Sequence, residues 1–232
     1  MKIAVLTGAG VSVESGLTTY RDNGGLWDNY DPMEVASTEG WRRNPGLVLE
    51  FYNGQRRKLS EIQPNEAHRL IAELQREQEV MVITQNVDDL HERAGSRDII
   101  HLHGEATKVR PDGGLYESTY SEAEVQDIGY AAVNLGDKDA KGRQLRPHIV
   151  FFGEAVPKLE AAAAKVSRAD VVLIVGTSMQ VYPAASLYRY ARRGTPIYVV
   201  DPSDVPVSGP DIHHLRMTAS EGVRRFVEQL SK

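Results

Sequence analysis

The sequence contains no cysteine among its 232 residues, which removes disulfides, thiol nucleophiles and every cysteine-ligated zinc site in one step. It also lacks any apolar run near the roughly 18 residues of a membrane span. Its first residues enter an apolar run at once, leaving no room for a cleavable leader, so a cytoplasmic protein without membrane contact is expected. Neither sign of charge dominates: 27 basic and 32 acidic residues give a net charge of −5, mixed along the chain, with no footprint for nucleic acid. The basic cluster Arg56, Arg57 and Lys58 reads most simply as a solvated helix face. The length suits one large domain, alone or with a smaller insertion.

What is present is organised around residues 2–22. Ile3, Ala4, Val5 and Leu6 form a continuous apolar run, as in a central parallel strand covered on both faces. Gly8 and Gly10 permit a sharp turn and close approach to a ligand, with Ser12 and the following amides placed to meet a phosphate at a helix N-terminus. Val13 stands where the third glycine of a G-x-G-x-x-G fingerprint would be. Two readings therefore stay open here, a phosphate cradle or a plain glycine-rich connection. Residues 18–25 read as an exposed loop able to close over a ligand.

Leu47, Val48, Phe51 and Tyr52 share one helical face, and Ala67, Leu70, Ile71 and Leu74 another after the break at Pro64 and Asn65, giving a helical module. Apolar strands are expected at 80–84, 98–102, 171–175 and 197–200, with 146–154 also returning to the sheet. The first of these ends in Gln85, Asn86 and Asp88, which suit either a helix cap or a ligand at the carboxyl end of a parallel strand. The second delivers His103 before Gly104, with His101 on the same side as a packing or hydrogen-bonding residue. Gly176, Thr177 and Ser178 follow the third, and Asp201 the fourth. A closing amphipathic helix carries Val223, Phe226, Val227 and Leu230. The region 107–146 has no clear period; contacts from Leu115, Tyr116, Tyr120, Ile128 and Tyr130 hold it, or it is partly disordered. Alternating strands and helices give an α/β fold class, a Rossmann-like doubly wound parallel sheet with a small inserted domain. The sheet domain takes 1–28, 80–106 and 147–232, and the small domain 29–79 and 107–146.

Taken in order, the segments GAGVS (8–12), TYRD (19–22), TQNVDDLH (84–91), HLHG (101–104), FGE (152–154), GTS (176–178) and VYPA (181–184) resemble the sirtuin family of NAD-dependent protein lysine deacylases. The resemblance implies NAD consumed as a cosubstrate and an acyl-lysine peptide or protein bound between the two domains. It implies that the acyl oxygen displaces nicotinamide and that the acyl group ends on ADP-ribose. Within it, His103 matches the base, while Asn86 and Asp88 hold the ribose and the water beneath it. Gly8, Ala9, Gly10, Ser12 and Arg21 serve the phosphates, Gln85 the carboxamide, and Gly176, Thr177, Ser178, Asp201 and Ala219 complete the cofactor site. Tyr20 stands in the lid where the family usually has Phe, and Val199 where it commonly has Asn. Val150, Phe152, Gly153 and Glu154 match the edge that pairs with an extended peptide.

The family's four-cysteine zinc module has no ligands here, so no zinc is expected. Compact bacterial sirtuins that accept succinyl-lysine carry a Tyr-x-x-Arg pair. Tyr52 is kept but Gln55 replaces the arginine, with Arg56 one turn from Tyr52 either compensating or merely solvated. Robust deacetylation with weaker desuccinylation is expected, from a monomer. The alternatives are a sirtuin-like ADP-ribosyltransferase or NAD hydrolase, a dehydrogenase, and a non-catalytic NAD or ADP-ribose sensor.

Overall fold

The computed structural model describes residues 1–18, 30–113 and 121–230. Its strands are β1 (Lys2–Thr7), β2 (Glu79–Thr84), β3 (Ile99–His101), β4 (Gly104–Pro111), β5 (Gln126–Asp127), β6 (Leu145–Ile149), β7 (Val171–Val175), β8 (Ile197–Val200) and β9 (Ile212–Leu215). Its helices are α1 (Pro32–Val35), α2 (Thr38–Arg43), α3 (Pro45–Glu61), α4 (Glu66–Glu77), α5 (Leu90–Arg93), α6 (Leu159–Val166) and α7 (Ala219–Leu230), with 3-10 turns at Ala9–Ser15 and Ala184–Tyr190.

The large sheet runs β3-β2-β1-β7-β8-β9 with every ladder parallel. The chain winds outward from β1 to one edge and then resumes on the other side of β1. The strand order therefore reverses between β1 and β7, and the crevice beyond their carboxyl ends is where such sheets take ligands. Both strands are apolar through their length because both faces are covered. On one face Ala4, Leu6, Val172 and Ile174 pack with Ala162 and Val166 of α6. On the other, Ile3, Val5 and Leu173 pack with Ala67 and Ile71 of α4 and Val223 and Phe226 of α7.

A second, three-stranded antiparallel sheet, β5-β4-β6, lies against α2 and α3. Trp41, Val48, Phe51 and Tyr52 bury against Val109, Ile149 and Phe151 to form a separate core.

This packing corrects the division drawn from sequence in two places. The helix 66–77 belongs with the large sheet rather than the small domain, because Ala67, Ile71 and Leu74 cover β1 and β2. Residues 145–149 do not return to the large sheet; they pair antiparallel with β4, Gly104 opposite Ile149. Strand β9 was not anticipated, since Ile212, His213, His214 and Leu215 offer no apolar period at a sheet edge.

In the region 107–146, Leu115, Tyr116 and Tyr120 lie outside the described residues. Ile128 packs on the small core, but Tyr130 is exposed and donates its hydroxyl to the Asp89 carboxylate at 2.5 Å. Val133 and Leu145 pack on the same core, and polar contacts add to this. Glu124 accepts from Lys141 at 2.9 Å and from Arg143 at 2.5 Å, and Asp139 pairs with Arg143 at 2.6 Å while accepting the Lys141 and Arg143 backbone amides.

Candidate functional site

The loops that follow β1, β2, β3 and β7 converge at the reversal point of the large sheet. Gly8 donates its amide to the Val175 carbonyl at 3.1 Å and Gly10 to Gly176 at 2.7 Å. A Cβ on Gly10 would lie 2.6 Å from the Gly176 Cα, and one on Gly8 2.7 Å from the Thr177 Cβ. The space these glycines leave is thus filled by the neighbouring loop. Their amides are paired with it, so the glycines are required first for the close approach of the two loops. Ala9, between them, is exposed.

Ser12 is also internal rather than free for a phosphate. Its buried hydroxyl donates to Asp88 Oδ2 at 2.9 Å and accepts from Asn86 Nδ2 at 3.1 Å. Asp88 Oδ1 accepts the Leu90 amide at 3.2 Å, a cap-like bond, so the helix-cap reading and the ligand reading meet in one residue. Burial raises the Asp88 carboxyl, against the lowering effect of the Leu90 and Ser12 donors. Gln85 reaches across β1 and donates to the Thr177 hydroxyl at 3.0 Å.

His103 is half-buried, and its Nδ1 lies 3.0 Å from the Gln85 carbonyl. A carbonyl only accepts, so Nδ1 carries the proton and Nε2 holds a lone pair in the neutral ring. Nε2 makes no hydrogen bond among the described residues and is not among the buried unpaired atoms. Burial lowers the His103 pKa, partly offset by the Gln85 bond, which favours the neutral, basic form. His101 turns to the same loop, with Nδ1 3.2 Å from the Asn86 carbonyl and Nε2 2.7 Å from Glu92.

The loop after β7 carries a residue that sequence reading passed over. Met179 is buried with φ of 53°, a left-handed conformation unusual for a long side chain, and donates its amide to Thr177 Oγ1 at 3.3 Å. Nothing in its side chain signals this; the loop geometry imposes it. Ser178 beside it is half-buried. Farther along, Asp201 accepts the Ser203 amide at 2.9 Å in a turn at the end of β8. Ala219 opens α7 and is buried against the large sheet. Val199 is buried in the core on one face of the large sheet. Tyr20 and Arg21 lie outside the described residues.

On the small-domain side, Val150 donates its amide to the His103 carbonyl at 2.9 Å, joining the two domains at the candidate base. Phe152 is exposed, yet its backbone is already paired: its amide donates to Ala36 at 2.8 Å and its carbonyl accepts from Thr38 at 3.1 Å. Gly153 has a φ of 97°. Glu154 is drawn inward, accepting from Arg146 at 2.7 Å, Arg110 at 3.1 Å and the Phe151 amide at 2.8 Å. It therefore braces the edge instead of presenting a side chain to a peptide.

Tyr52 is buried in the small core, and burial raises its phenol, against Arg146. Gln55 is half-buried. Arg56 is wholly buried, donating to the Ala106 carbonyl at 3.0 Å and to Asn53, and burial with the neighbouring Arg57 lowers its pKa to about 10. Neither earlier reading of Arg56 holds: it is no solvated face, and its guanidinium is committed to the backbone rather than to an acyl group. Arg57 and Lys58 are exposed.

Among the described residues, Glu92, His101 and Glu105 bring their ligand atoms within 4.8 Å of one another, a spacing that suits a cation. Each has a counter-group already: Glu92 the His101 ring, and Glu105 the Lys108 ammonium at 2.7 Å.

Comparison with known proteins places this geometry in a wider set. The Sir2 family profile matches residues 8–183. An NAD-dependent protein deacylase of Bacteroides thetaiotaomicron is 51% identical over 229 residues, covering 98% of this chain and 97% of its own. A solved Sir2 homologue in complex with NAD matches with a TM-score of 0.86 at 39% identity, covering 99% of this chain and 89% of that one. A Sir2 structure with a deacetylated p53 peptide and 3'-O-acetyl ADP ribose matches at 0.78 and 29% identity, covering 98% and 93%. The profile spans most of the sequence and the relatives match end to end: this chain belongs to the Sir2 family.

Proposed function

We propose that this chain is an NAD-dependent protein lysine deacylase that acts through His103. The observation that carries the reading is the single half-buried imidazole with Nδ1 tied to Gln85, at the reversal point of a parallel sheet and beside a buried Ser12, Asn86 and Asp88 net.

The crevice suits a dinucleotide: polar groups are gathered at the carboxyl ends of β1, β2 and β7, as nucleotide-binding sheets require. NAD, when bound, supplies the ribose that receives the acyl group and the nicotinamide that leaves. Asn86 and Asp88 would hold that ribose, Asp88 as an acceptor for its hydroxyls and Asn86 through its amide. Gln85 and Thr177 would frame the carboxamide side. His103 Nε2 would take the proton of a ribose hydroxyl, which the Nδ1 bond to Gln85 prepares it to do. Residues 18–25 with Arg21, and the exposed Ala9, are proposed to serve the phosphates.

The acylated substrate would lie between the two sheets, near Val150 and the exposed Phe152. Because Phe152 already pairs with Ala36 and Thr38, strand addition would use the remaining backbone groups of this edge. Acetyl-lysine is proposed as the better substrate, since neither Gln55 nor the committed Arg56 offers a charge to a succinyl carboxylate.

The test is mass spectrometry of products from NAD with a panel of acyl-lysine peptides. Free nicotinamide and O-acyl-ADP-ribose, formed only with acylated peptide, support the reading. Free ADP-ribose without peptide dependence would assign an NAD hydrolase, and reduced nicotinamide a dehydrogenase.

A further inference from the structure

His101 is the last residue of β3, two positions before His103, and it is buried. Its two ring nitrogens meet the Asn86 carbonyl at 3.2 Å and the Glu92 carboxylate at 2.7 Å. Both partners accept only, so both nitrogens carry protons and the ring is cationic. The groups around it come from three places: Glu92 and the ring of His91, kept neutral by burial, on α5; Glu105 at the start of β4 with Lys108 beside it; and Asp88 in the loop after β2. Burial opposes the charge on His101, but the Glu92 bond and charge, with Glu105 and the Asn86 carbonyl, hold its pKa above the ordinary histidine value.

Asn86 is pinned through its backbone on two sides. Its amide donates to Thr84 Oγ1 at 3.0 Å, and its carbonyl accepts from His101. Only the second tie depends on a proton.

Resting on the deacylase reading, we propose that the Glu92–His101 pair is a positioning device for Asn86: the cationic ring clamps the Asn86 carbonyl and thereby sets the Asn86 amide in the ribose site. Loss of one proton would release it in a defined way. The Glu92 carboxylate keeps the N–H on Nε2, so the bare Nδ1 lone pair is left facing the Asn86 carbonyl oxygen, and repulsion replaces the hydrogen bond. Glu92→Gln alters this outcome. A Gln amide can donate to Nε2, so the neutral ring keeps its proton on Nδ1 and the clamp survives deprotonation. The Glu92 side chain is 40% exposed, so the substitution is tolerated by the fold.

The experiment follows kcat/KM for NAD against pH, with an acetyl-lysine peptide, for wild type, Glu92→Gln and His101→Leu. Wild type is expected to lose activity on an acid limb, from His103, and on an alkaline limb, from His101. Glu92→Gln should keep the first and lose the second. His101→Leu should lower kcat about tenfold or more with peptide KM unchanged, as a misplaced site residue does. In parallel, NMR of nitrogen-labelled histidine should show both His101 nitrogens protonated at neutral pH in wild type and only Nδ1 in Glu92→Gln. A wild-type ring that is neutral at neutral pH, or a Glu92→Gln profile with the alkaline limb intact, overturns the clamp. Because the NMR readout needs no turnover, a wild type that releases no nicotinamide counts against the deacylase reading while the clamp is still judged.

Discussion

Gln85 donates its side-chain amide to the Thr177 hydroxyl at 3.0 Å, tying the loop after β2 to the loop after β7 across the end of β1. Thr177 also receives the amide of the left-handed Met179, so one hydroxyl holds the shape of two loops. Thr177→Val keeps the branched shape and strands both donors. The expected result is a stability loss of about 1–3 kcal/mol with a raised KM for NAD. Thermal unfolding and steady-state kinetics check it, and unchanged values for both would show the tie to be idle.

His103→Ala should remove turnover by about 10²–10⁴-fold, the usual cost of losing a general base. NAD binding, followed by calorimetry, should remain, since the other polar groups of the crevice are untouched. Burial depresses the His103 pKa, so its basic form persists below the ordinary histidine range and activity falls only at more acid pH. A variant that keeps more than a tenth of wild-type turnover would move the base elsewhere.

Arg146 and Glu154 form a buried ion pair, and the Arg146 guanidinium stacks 4.0 Å from the Phe151 ring centroid. Removing the acid leaves buried guanidinium charge uncompensated. Glu154→Ala is expected to cost about 3–5 kcal/mol. Chemical denaturation measures this directly; a loss of peptide affinity at full stability would instead make Glu154 a substrate contact.

For acyl preference, Gln55→Arg should raise kcat/KM for succinyl relative to acetyl versions of one peptide, by adding a charge one turn from Tyr52. Arg56→Ala should leave that ratio alone and lower stability by about 2 kcal/mol or more, from the stranded Ala106 carbonyl and the cavity. A ratio that changes with Arg56 and not with Gln55 would reverse the two roles.

The Glu124, Asp139, Lys141 and Arg143 contacts should let the small domain persist without transition metal. Chelation is expected to leave activity unchanged, and loss restored by zinc would refute this. The Ser121 amide, Lys141 and Arg143 hold the Glu124 pKa down to about 2. A depressed carboxyl adds stability above its unfolded pKa of about 4.3, which is lost as pH falls toward the folded value. Hydrogen exchange of residues 121–145 should therefore rise with acid, and already at neutral pH in Glu124→Gln.

The sequence by itself determined the parallel core and which polar residues stand at its strand ends. Apolar runs such as Val171–Val175 have no polar face to turn outward, so they had to be central strands, and whatever followed them had to stand at the ligand-binding end. That logic put Gln85, Asn86, Asp88, His103 and Thr177 at strand ends, and the resemblance to the sirtuin motifs, not the strand pattern, gave them their expected roles. The tertiary structure decided matters that depend on a distant partner. Gly8 and Gly10 signalled a close approach without naming the partner, and the assembled fold supplies one in the loop that carries Gly176 and Thr177. Arg56 carried a charge that local pattern assigned to solvent, until the Ala106 carbonyl, fifty residues along the chain, joined Asn53 of the same helix as its acceptor. The helix 66–77 has an apolar face in either domain, and only the assembled sheet shows which core it covers. The Glu92–His101 contact joins α5 to the end of β3, a juxtaposition no sequence period contains; charge and hydrogen-bond geometry there exist only once the two elements meet.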